Sequence, residues 1–338
     1  MALASQSPPA LLELTPMRER ILALVPGGIG DQILFFPTLS GLRQLYPQAT
    51  IEVMVEPRAA GAYEVCPSVD RVLTFPFKEH LSLSDLSDLL GRMRDRQYDA
   101  VVSLGRSPLV RLLLWMTGIP TRVGYGTQGW PWLTHAVPLQ SEQYAAHMYQ
   151  DLLQGVGHAL PYITPQIRLK KSALEWSKQE RQRLLGDPDA EHVVLHPGAS
   201  QLSIQKGIRK IYPVENWVQI IKGFRQLRPE LPILLIAGPE DDALTETFRQ
   251  ALDDLLITRP ARVGQLAGLI AGASLMLCTD SAPMHLAVAT QTPVVALFGP
   301  TDPAHLLPPD GPFRAVRSTD QSIESISPQQ VLDAIFKG

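Results

Sequence analysis

The fold is decided by a stretch close to the start of the chain, residues 20–31, which reads RILALVPGGIGD. The run from Ile21 to Val25 is short, continuous and apolar, which is typical of a strand that is buried on both faces. A glycine-containing loop, Gly27–Asp31, follows it. The apolar pattern then becomes helical as far as Tyr46. A strand, a glycine loop and a helix in this order predict the first half of a parallel βαβ unit.

The same alternation continues to the end of the chain and predicts an α/β protein with two Rossmann-like domains. The interpretation divides the chain into a flexible tail (residues 1–17), a first domain (residues 18–162) and a second domain (residues 163–338). The last helix is a candidate for packing back on the first domain. Strands are predicted at Arg20–Val25, Thr50–Val55, Arg71–Phe75, Asp99–Leu104 and Arg122–Gly124, and then at His192–His196, Ile233–Ala237, Leu275–Thr279 and Val294–Phe298.

Composition excludes several classes of protein. The chain has 338 residues, of which 45% are hydrophobic and 19% charged, and its formal net charge of −3 argues against a nucleic-acid partner. The only two cysteines, Cys66 and Cys278, lie in apolar surroundings and are expected to be reduced core residues. The sequence shows neither a signal-peptide pattern nor an apolar run long enough to span a bilayer, so we expect a cytoplasmic protein.

The loop Gly27–Asp31 has half of a dinucleotide-binding pattern, since Ile33 stands where a third glycine is needed. Asp31 would also place a negative charge where a pyrophosphate docks. We therefore expect Gly28 and Gly30 to let an acceptor approach the backbone while Asp31 takes a hydroxyl proton. The alternative is that Asp31 only caps the helix.

A second loop, DSAPMH at residues 280–285, is more informative. Asp280 follows an apolar strand, and Pro283 falls in the first helical turn, where its missing N–H costs little. The N–H groups of Ser281 and Ala282, with the helix dipole, predict a site for a diphosphate. His285 is expected about one turn further along the same side of the helix, where it either faces the ligand or has a structural role.

Two other loops carry charge after predicted strands. A basic stretch, KGIRK at residues 206–210, follows the HPGAS segment at residues 196–200 and is placed to neutralise a leaving diphosphate. Glu240 is a candidate for binding ribose hydroxyls, or else a carboxylate that favours a helix start. The chain has only two cysteines and no H-E-x-x-H motif, and no metal is expected.

These residues resemble glycosyltransferase family 9, the lipopolysaccharide heptosyltransferases and their relatives. The matching segments span most of the chain in order: IGD at residues 29–31 with Pro37, HPGAS at 196–200, KIYP at 210–213, DSAPMH at 280–285 and FGPTDP at 298–303. The resemblance departs from the family pattern at Ala282, where glycine is usual, and at Tyr212, where tryptophan is commoner.

The resemblance implies a GT-B fold whose parallel sheets face each other across a cleft, and an inverting transfer that needs neither metal nor cofactor. It implies that Asp31 is the general base and that Lys210 binds the diphosphate, although Lys206 and Arg209 remain alternatives to Lys210. It further implies donor-binding roles for Glu240, Asp280, Ser281 and Ala282. Ser200 and His285 are also expected to bind the donor. The donor would be a nucleotide-diphosphate sugar, ADP-linked, and the acceptor a glycan or glycolipid.

Other functions stay open at this point. A sugar-nucleotide epimerase and a non-catalytic module that binds sugar nucleotides or glycans share this fold, and an NAD-dependent oxidoreductase is disfavoured by the incomplete glycine pattern. A peripheral contact with the inner membrane is a further expectation. It rests on basic residues of the first domain, Arg92, Arg94, Arg96, Arg106 and Arg111.

Overall fold

A computed structural model describes residues 20–77, 82–127, 132–198, 211–239 and 241–337. The chain divides into two compact units, Met1–Pro165 and Gln166–Gly338. The division lies three residues beyond the predicted one. Residues of the link are tied to the first unit, because the Gln150 side chain donates to the Pro161 carbonyl (2.6 Å) and accepts from the Ile163 amide (3.1 Å).

The first unit contains a parallel six-stranded sheet with the strand order β3-β2-β1-β4-β5-β6. Its strands are β1 (Arg20–Val25), β2 (Thr50–Val55), β3 (Arg71–Thr74), β4 (Ala100–Ser103), β5 (Thr121–Tyr125) and β6 (His135–Val137). The described helices are α1 (Ile29–Leu45), α2 (Leu83–Asp95), α3 (Pro108–Thr117) and α4 (Ala145–Gln150), with 3₁₀ segments at Pro57–Val65 and Asp151–Val156. Five of the six residues of β1 are fully buried, as its continuous apolar run predicts.

The second unit repeats this topology with a parallel sheet of order β12-β11-β10-β7-β8-β9. Its strands are β7 (Val193–His196), β8 (Ile233–Ile236), β9 (Leu256–Thr258), β10 (Leu275–Thr279), β11 (Val294–Phe298) and β12 (Phe313–Arg317). The described helices are α5 (Lys171–Leu185), α6 (Val214–Leu227), α7 (Asp242–Ala251), α8 (Val263–Ala271), α9 (Ala282–Ala289), α10 (Pro303–Leu306) and α11 (Pro328–Phe336), with a 3₁₀ turn at Ile323–Ser325. Helix α11 packs on α6 within this unit, where Val331 and Phe224 share one core.

Both sheets have the order 3-2-1-4-5-6 when their strands are counted within each unit, which is the Rossmann-like arrangement. The strand order reverses between β1 and β4 in the first unit and between β7 and β10 in the second. Ligands of open parallel sheets bind outside the carboxyl ends of the strands at such a reversal. We therefore expect ligands to bind at the loops that follow these four strands.

The two cysteines are free and buried, as expected. Burial raises the pKa of Cys66 to about 12 and also raises that of Cys278, so neither thiol is ionised near neutral pH. They are packing residues rather than nucleophiles.

Candidate functional site

In the first unit the loop after β1 brings Asp31 to the point where the strand order reverses. Asp31 is the third residue of α1, and its Oδ2 accepts a hydrogen bond from the Gly28 amide at 2.8 Å. This is a capping contact, and Gly28 is the N-cap residue. The other oxygen, Oδ1, accepts from the hydroxyl of Tyr149 at 3.2 Å. The carboxylate is thus fixed on both sides while the residue stays partly exposed.

Gly27 is the glycine that this arrangement requires. A Cβ atom at Gly27 would lie 2.4 Å from Asp31 Oδ2, a distance at which side chains cannot pack. At Gly28 a Cβ atom would have ordinary contacts, 3.9 Å from the same oxygen. Gly30 lies inside the first turn of α1. The predicted role of Gly28 and Gly30 in admitting an acceptor stays a prediction, whereas the steric need for glycine falls on Gly27.

Tyr149, which donates to Asp31, comes from α4 and lies near residues at the ends of β4 and β5. Burial and the Asp31 charge raise the pKa of Tyr149 far above its usual value, so its hydroxyl acts as a neutral donor. Tyr125 is the last residue of β5, and its hydroxyl donates to the Met148 carbonyl at 2.7 Å. The guanidinium of Arg106 lies 5.9 Å from the centre of the Tyr125 ring, which is within the range of a cation–π contact. Neither Tyr149 nor Arg106 was singled out from the sequence as a site residue.

In the second unit the corresponding turn is Asp280–Ala282, between β10 and α9. Ser281 is the N-cap residue of α9 and, in the described part of the chain, it makes no side-chain capping bond. Pro283 is in the first turn, as predicted. Asp280 is buried, and its Oδ2 accepts a hydrogen bond from the Thr301 hydroxyl at 2.8 Å. Among the described residues no side chain caps the start of α9. Its first N–H groups are therefore available to bind an anion.

The loop after β7 lies beside this turn. His196 Nδ1 is 3.2 Å from the Ser281 hydroxyl, and Thr279 donates to the Gly198 carbonyl at 2.9 Å. On the other side of the imidazole, Nε2 is 4.0 Å from Asp241 Oδ2. Burial lowers the pKa of His196, while the Asp241 carboxylate acts in the opposite direction. His196 therefore links the loops after β7 and β10 to the start of α7.

Asp241 and Asp242 are adjacent in the sequence but occupy different environments. Asp241 accepts from the Gly238 amide at 2.7 Å and is mostly buried, whereas Asp242 is exposed and pairs with Arg259 at 2.8 Å. Such a pair does not converge on one cation. The described residues contain no group of three or more His, Cys, Asp or Glu residues placed to hold a metal ion.

The remaining predicted residues divide into two groups. Ser200, Lys206, Arg209, Lys210 and Glu240 lie outside the described residues, so their roles stay predictions. His285 is described and lies in α9, where it is buried, with 5% of its surface exposed. Its burial fits the structural role better than contact with a ligand, and the donor-binding assignment stays a prediction.

The basic residues behind the expected membrane contact lie in different parts of the first unit. Arg96 precedes β4 and contacts Glu52, whereas Arg106 follows β4, so the two lie at opposite ends of the sheet. Arg111 is buried and donates to the Arg106 carbonyl at 2.7 Å. The membrane contact itself stays a prediction. Among the described residues no helix is long and apolar enough to cross a bilayer.

Comparison with solved structures identifies the class of fold. The structure of the Escherichia coli ADP-heptose lipopolysaccharide heptosyltransferase II superposes with a TM-score of 0.76 at 22% identity and covers 94% of this chain and 97% of that one. The GT-B fold, two Rossmann-like domains, is thereby confirmed.

The sequence comparisons then give the family. The model of glycosyltransferase family 9 (heptosyltransferase) matches residues 87–334, which is most of the chain. This chain belongs to glycosyltransferase family 9, and the prediction of a glycosyltransferase is confirmed.

Two curated relatives show the range of the similarity. Lipopolysaccharide heptosyltransferase 2 of Escherichia coli K12 is 25% identical, over 94% of this chain and 97% of its own length. Photosynthetic NDH subunit of subcomplex B 1 of Arabidopsis thaliana is 26% identical over 86% of this chain, and the chain spans 66% of that relative's length.

Proposed function

We propose that this glycosyltransferase inverts the transferred sugar and works without a metal. It moves heptose or a related sugar from an ADP-linked donor to an acceptor of the lipopolysaccharide type. In the reaction an acceptor hydroxyl gives its proton to Asp31 as its oxygen forms a bond to the anomeric carbon. The bond from that carbon to the diphosphate breaks on the opposite face, and its electrons leave with the phosphate oxygen. A single displacement of this kind inverts the configuration.

The observation that carries the proposal is the carboxylate of Asp31, held at the reversal of the first sheet by the Gly28 amide and the Tyr149 hydroxyl. A general base must be fixed where the acceptor binds and must keep acceptor capacity for one more proton. Each carboxylate oxygen has two lone pairs, so two capping donors leave that capacity in place. Because Gly27 carries no side chain, the Asp31 side chain can pack directly against the backbone of this loop.

The second unit supports the donor half of the proposal. The start of α9 offers backbone N–H groups and the positive end of the helix dipole, which is worth about 0.3–2 kcal/mol toward an anion. The residues expected to add to this site are Lys210, with Lys206 and Arg209 as its rivals, and Ser200. Glu240 is expected to bind the ribose. A lysine and a helix start together can screen a leaving diphosphate without a divalent cation.

The relatives support this choice of substrate class. The Escherichia coli protein of similar structure is an ADP-heptose lipopolysaccharide heptosyltransferase, and the curated relative is a lipopolysaccharide heptosyltransferase. Because the identity is only 22–25%, the sugar and the acceptor of this chain are part of the proposal. We place the reaction at the cytoplasmic face of the inner membrane, where a lipid-linked acceptor is reached.

The test is an ADP-release assay with ADP-heptose and with lipopolysaccharide-type acceptors, each also supplied alone. Release of ADP only when donor and acceptor are both present, with a product of inverted configuration, is expected. The same rate is expected in excess EDTA. Binding of the donor without any release would favour the non-catalytic module, and loss of turnover in EDTA that manganese or magnesium restores would overturn the metal-free mechanism.

A further inference from the structure

A cavity of about 720 Å³ lies in the first unit, away from the site described above. Among the residues that line it are Arg20, Arg71, Arg92 and Arg96. Arg20 begins β1, Arg71 begins β3, and Arg96 precedes β4. The arginines therefore lie toward the amino ends of the strands, whereas Asp31 lies beyond their carboxyl ends.

A buried carboxylate fixes three of the four arginines. Glu52, on β2, is only 1% exposed and lies 3.2 Å from Arg20, 3.9 Å from Arg71 and 2.7 Å from Arg96. The Tyr98 hydroxyl donates to Glu52 at 2.6 Å, and Arg20 also lies over the Tyr98 ring. One buried negative charge thus holds three guanidinium groups in a fixed arrangement before any ligand arrives, which lowers the entropic cost of binding one.

The arginines keep donors to offer. Among the described residues, each of the four uses a single guanidinium nitrogen in an ion pair or hydrogen bond, and for Arg92 this is Nε, which contacts Asp88 at 2.8 Å. Glu52, Asp88 and the lining residue Asp95 offset three of the four positive charges. The remaining charge and the unused N–H pairs suit a planar or tetrahedral oxyanion, which guanidinium groups bind in a bidentate manner.

Apart from Thr74 and Asp95, the rest of the cavity wall is apolar. Met54, Leu73, Phe75 and Leu89 line it, and Phe75 and Leu89 belong to the core beneath. An inorganic anion would satisfy the arginines and leave the partly exposed Leu73 in contact with water. A ligand that also has an apolar part beside its anionic group would cover it, and its volume is within the usual range for small-molecule sites.

We propose that this cavity binds a phosphate monoester or diester that carries an apolar group. The phosphate contacts Arg71 and Arg92 at the rim, with Arg20 and Arg96 behind, and the apolar group lies on Leu73 and Phe75. The ligand comes either from a lipid headgroup or from a soluble phosphate ester. This inference does not depend on the proposed transfer reaction, because it concerns the opposite end of the first sheet.

The test is calorimetry of the full chain with mono-octyl phosphate and with inorganic phosphate. The variant R71Q/R92Q removes the two rim charges, whose side chains are each 61% exposed, and it leaves Glu52 paired with Arg20 and Arg96. The matched control R228Q/R249Q removes two exposed, ion-paired arginines of the second unit. Excess ADP is included in a parallel titration to occupy any diphosphate site.

Octyl phosphate is expected to bind the wild type and the control equally, and R71Q/R92Q at least tenfold more weakly. Inorganic phosphate is expected to bind at least tenfold more weakly than octyl phosphate, and ADP is expected not to displace octyl phosphate. Equal affinity in all three proteins, or displacement by ADP, would overturn the proposal.

Vesicles of phosphatidylcholine, with and without phosphatidylglycerol, separate the two sources. Co-sedimentation that needs phosphatidylglycerol and is lost in R71Q/R92Q supports a lipid headgroup. Binding of octyl phosphate without co-sedimentation supports a soluble ester. Phosphatidylglycerol-dependent co-sedimentation of R71Q/R92Q to the same extent as wild type would contradict a lipid ligand at this cavity.

Discussion

The two units have the same sheet topology, yet they differ in whether a side chain caps the helix that follows the strand reversal. In the first unit the carboxylate of Asp31 occupies the start of α1 and accepts from the Gly28 amide. In the second unit the start of α9 has no side-chain cap among the described residues, and the preceding Asp280 accepts from Thr301 instead.

This difference assigns a different chemistry to each turn. A helix start that holds its own carboxylate repels a phosphate, whereas an uncapped start attracts one. In the proposed function, one Rossmann-like topology therefore serves as a base-bearing unit in the first half of the chain and as a diphosphate-binding unit in the second. Each of the following predictions changes one side of this comparison.

The largest effect is expected for Asp31→Asn, which removes the base and keeps the size of the side chain. Transfer should fall by about 10²–10⁴ while ADP affinity stays close to that of the wild type. The matched control is Asp85→Asn, because Asp85 caps α2 from the same helical position and accepts from the Ser82 amide at 2.8 Å. If Asp31 were only a cap, both variants would show a small loss of Tm and unchanged turnover.

A smaller effect is expected for Ala282→Pro, which removes one backbone N–H at the first position of α9. Proline is tolerated at this position of a helix, so the fold should be kept. Affinity for ADP, measured by calorimetry, should fall roughly tenfold to a hundredfold, the usual value of one hydrogen bond to a charged group. Ala282→Gly keeps the N–H and should bind ADP as the wild type does. Unchanged affinity in the proline variant would show that the start of α9 does not hold the diphosphate.

The smallest effect concerns His196, which joins Ser281 to the neighbouring loop and has no counterpart in the turn of the first unit. Burial lowers its pKa in the folded state below the ordinary value of 6.5. The unfolded chain therefore takes up a proton first as the pH falls below about 6.5, and the folded state loses stability there by at most about 1.4 kcal/mol per pH unit. Above that pH the contribution is constant.

Urea unfolding between pH 5 and pH 8 (roughly the range in which histidine titrates) measures this effect. His196→Gln should lower the slope of the unfolding free energy on the acid side. Parallel pH dependence of the variant and the wild type would show that His196 binds its proton equally in the folded and the unfolded chain.

The sequence predicted the repeated topology because the buried strands carry continuous apolar runs, and β1, β2, β10 and β11 begin and end where predicted. The edge strands β6, β9 and β12 were missed. β6 and β9 have three residues each, and most of β12 is exposed, so none of them has the apolar run that identifies a buried strand.

Helix α5 was missed for a different reason. Its buried face consists of Ala173, Ser177 and Arg181, which are small or polar rather than apolar. Ser177 donates to the Gly268 carbonyl at 3.0 Å, and a Cβ atom at Gly268 would lie 2.8 Å from the Ala173 carbonyl oxygen. Close packing of two helix backbones replaces the apolar stripe by which helices are recognised.

The candidate site was predictable where a local motif carries it, and this holds for Asp31 and for the Asp280–Ala282 turn. The partners of these residues were not predictable. Tyr149 lies 118 positions from Asp31 in the sequence, and His196 lies 85 positions from Ser281. No local pattern reports such contacts, because they follow from the order in which the strands pair.

The most direct test of the comparison is a crystal structure of the wild-type protein with ADP. The diphosphate is predicted at the start of α9, with a phosphate oxygen about 3 Å from the backbone nitrogen of Ala282 and with no phosphate near Asp31. A diphosphate bound at the turn of residues 27–31, with the start of α9 empty, would contradict the assignment of the two units.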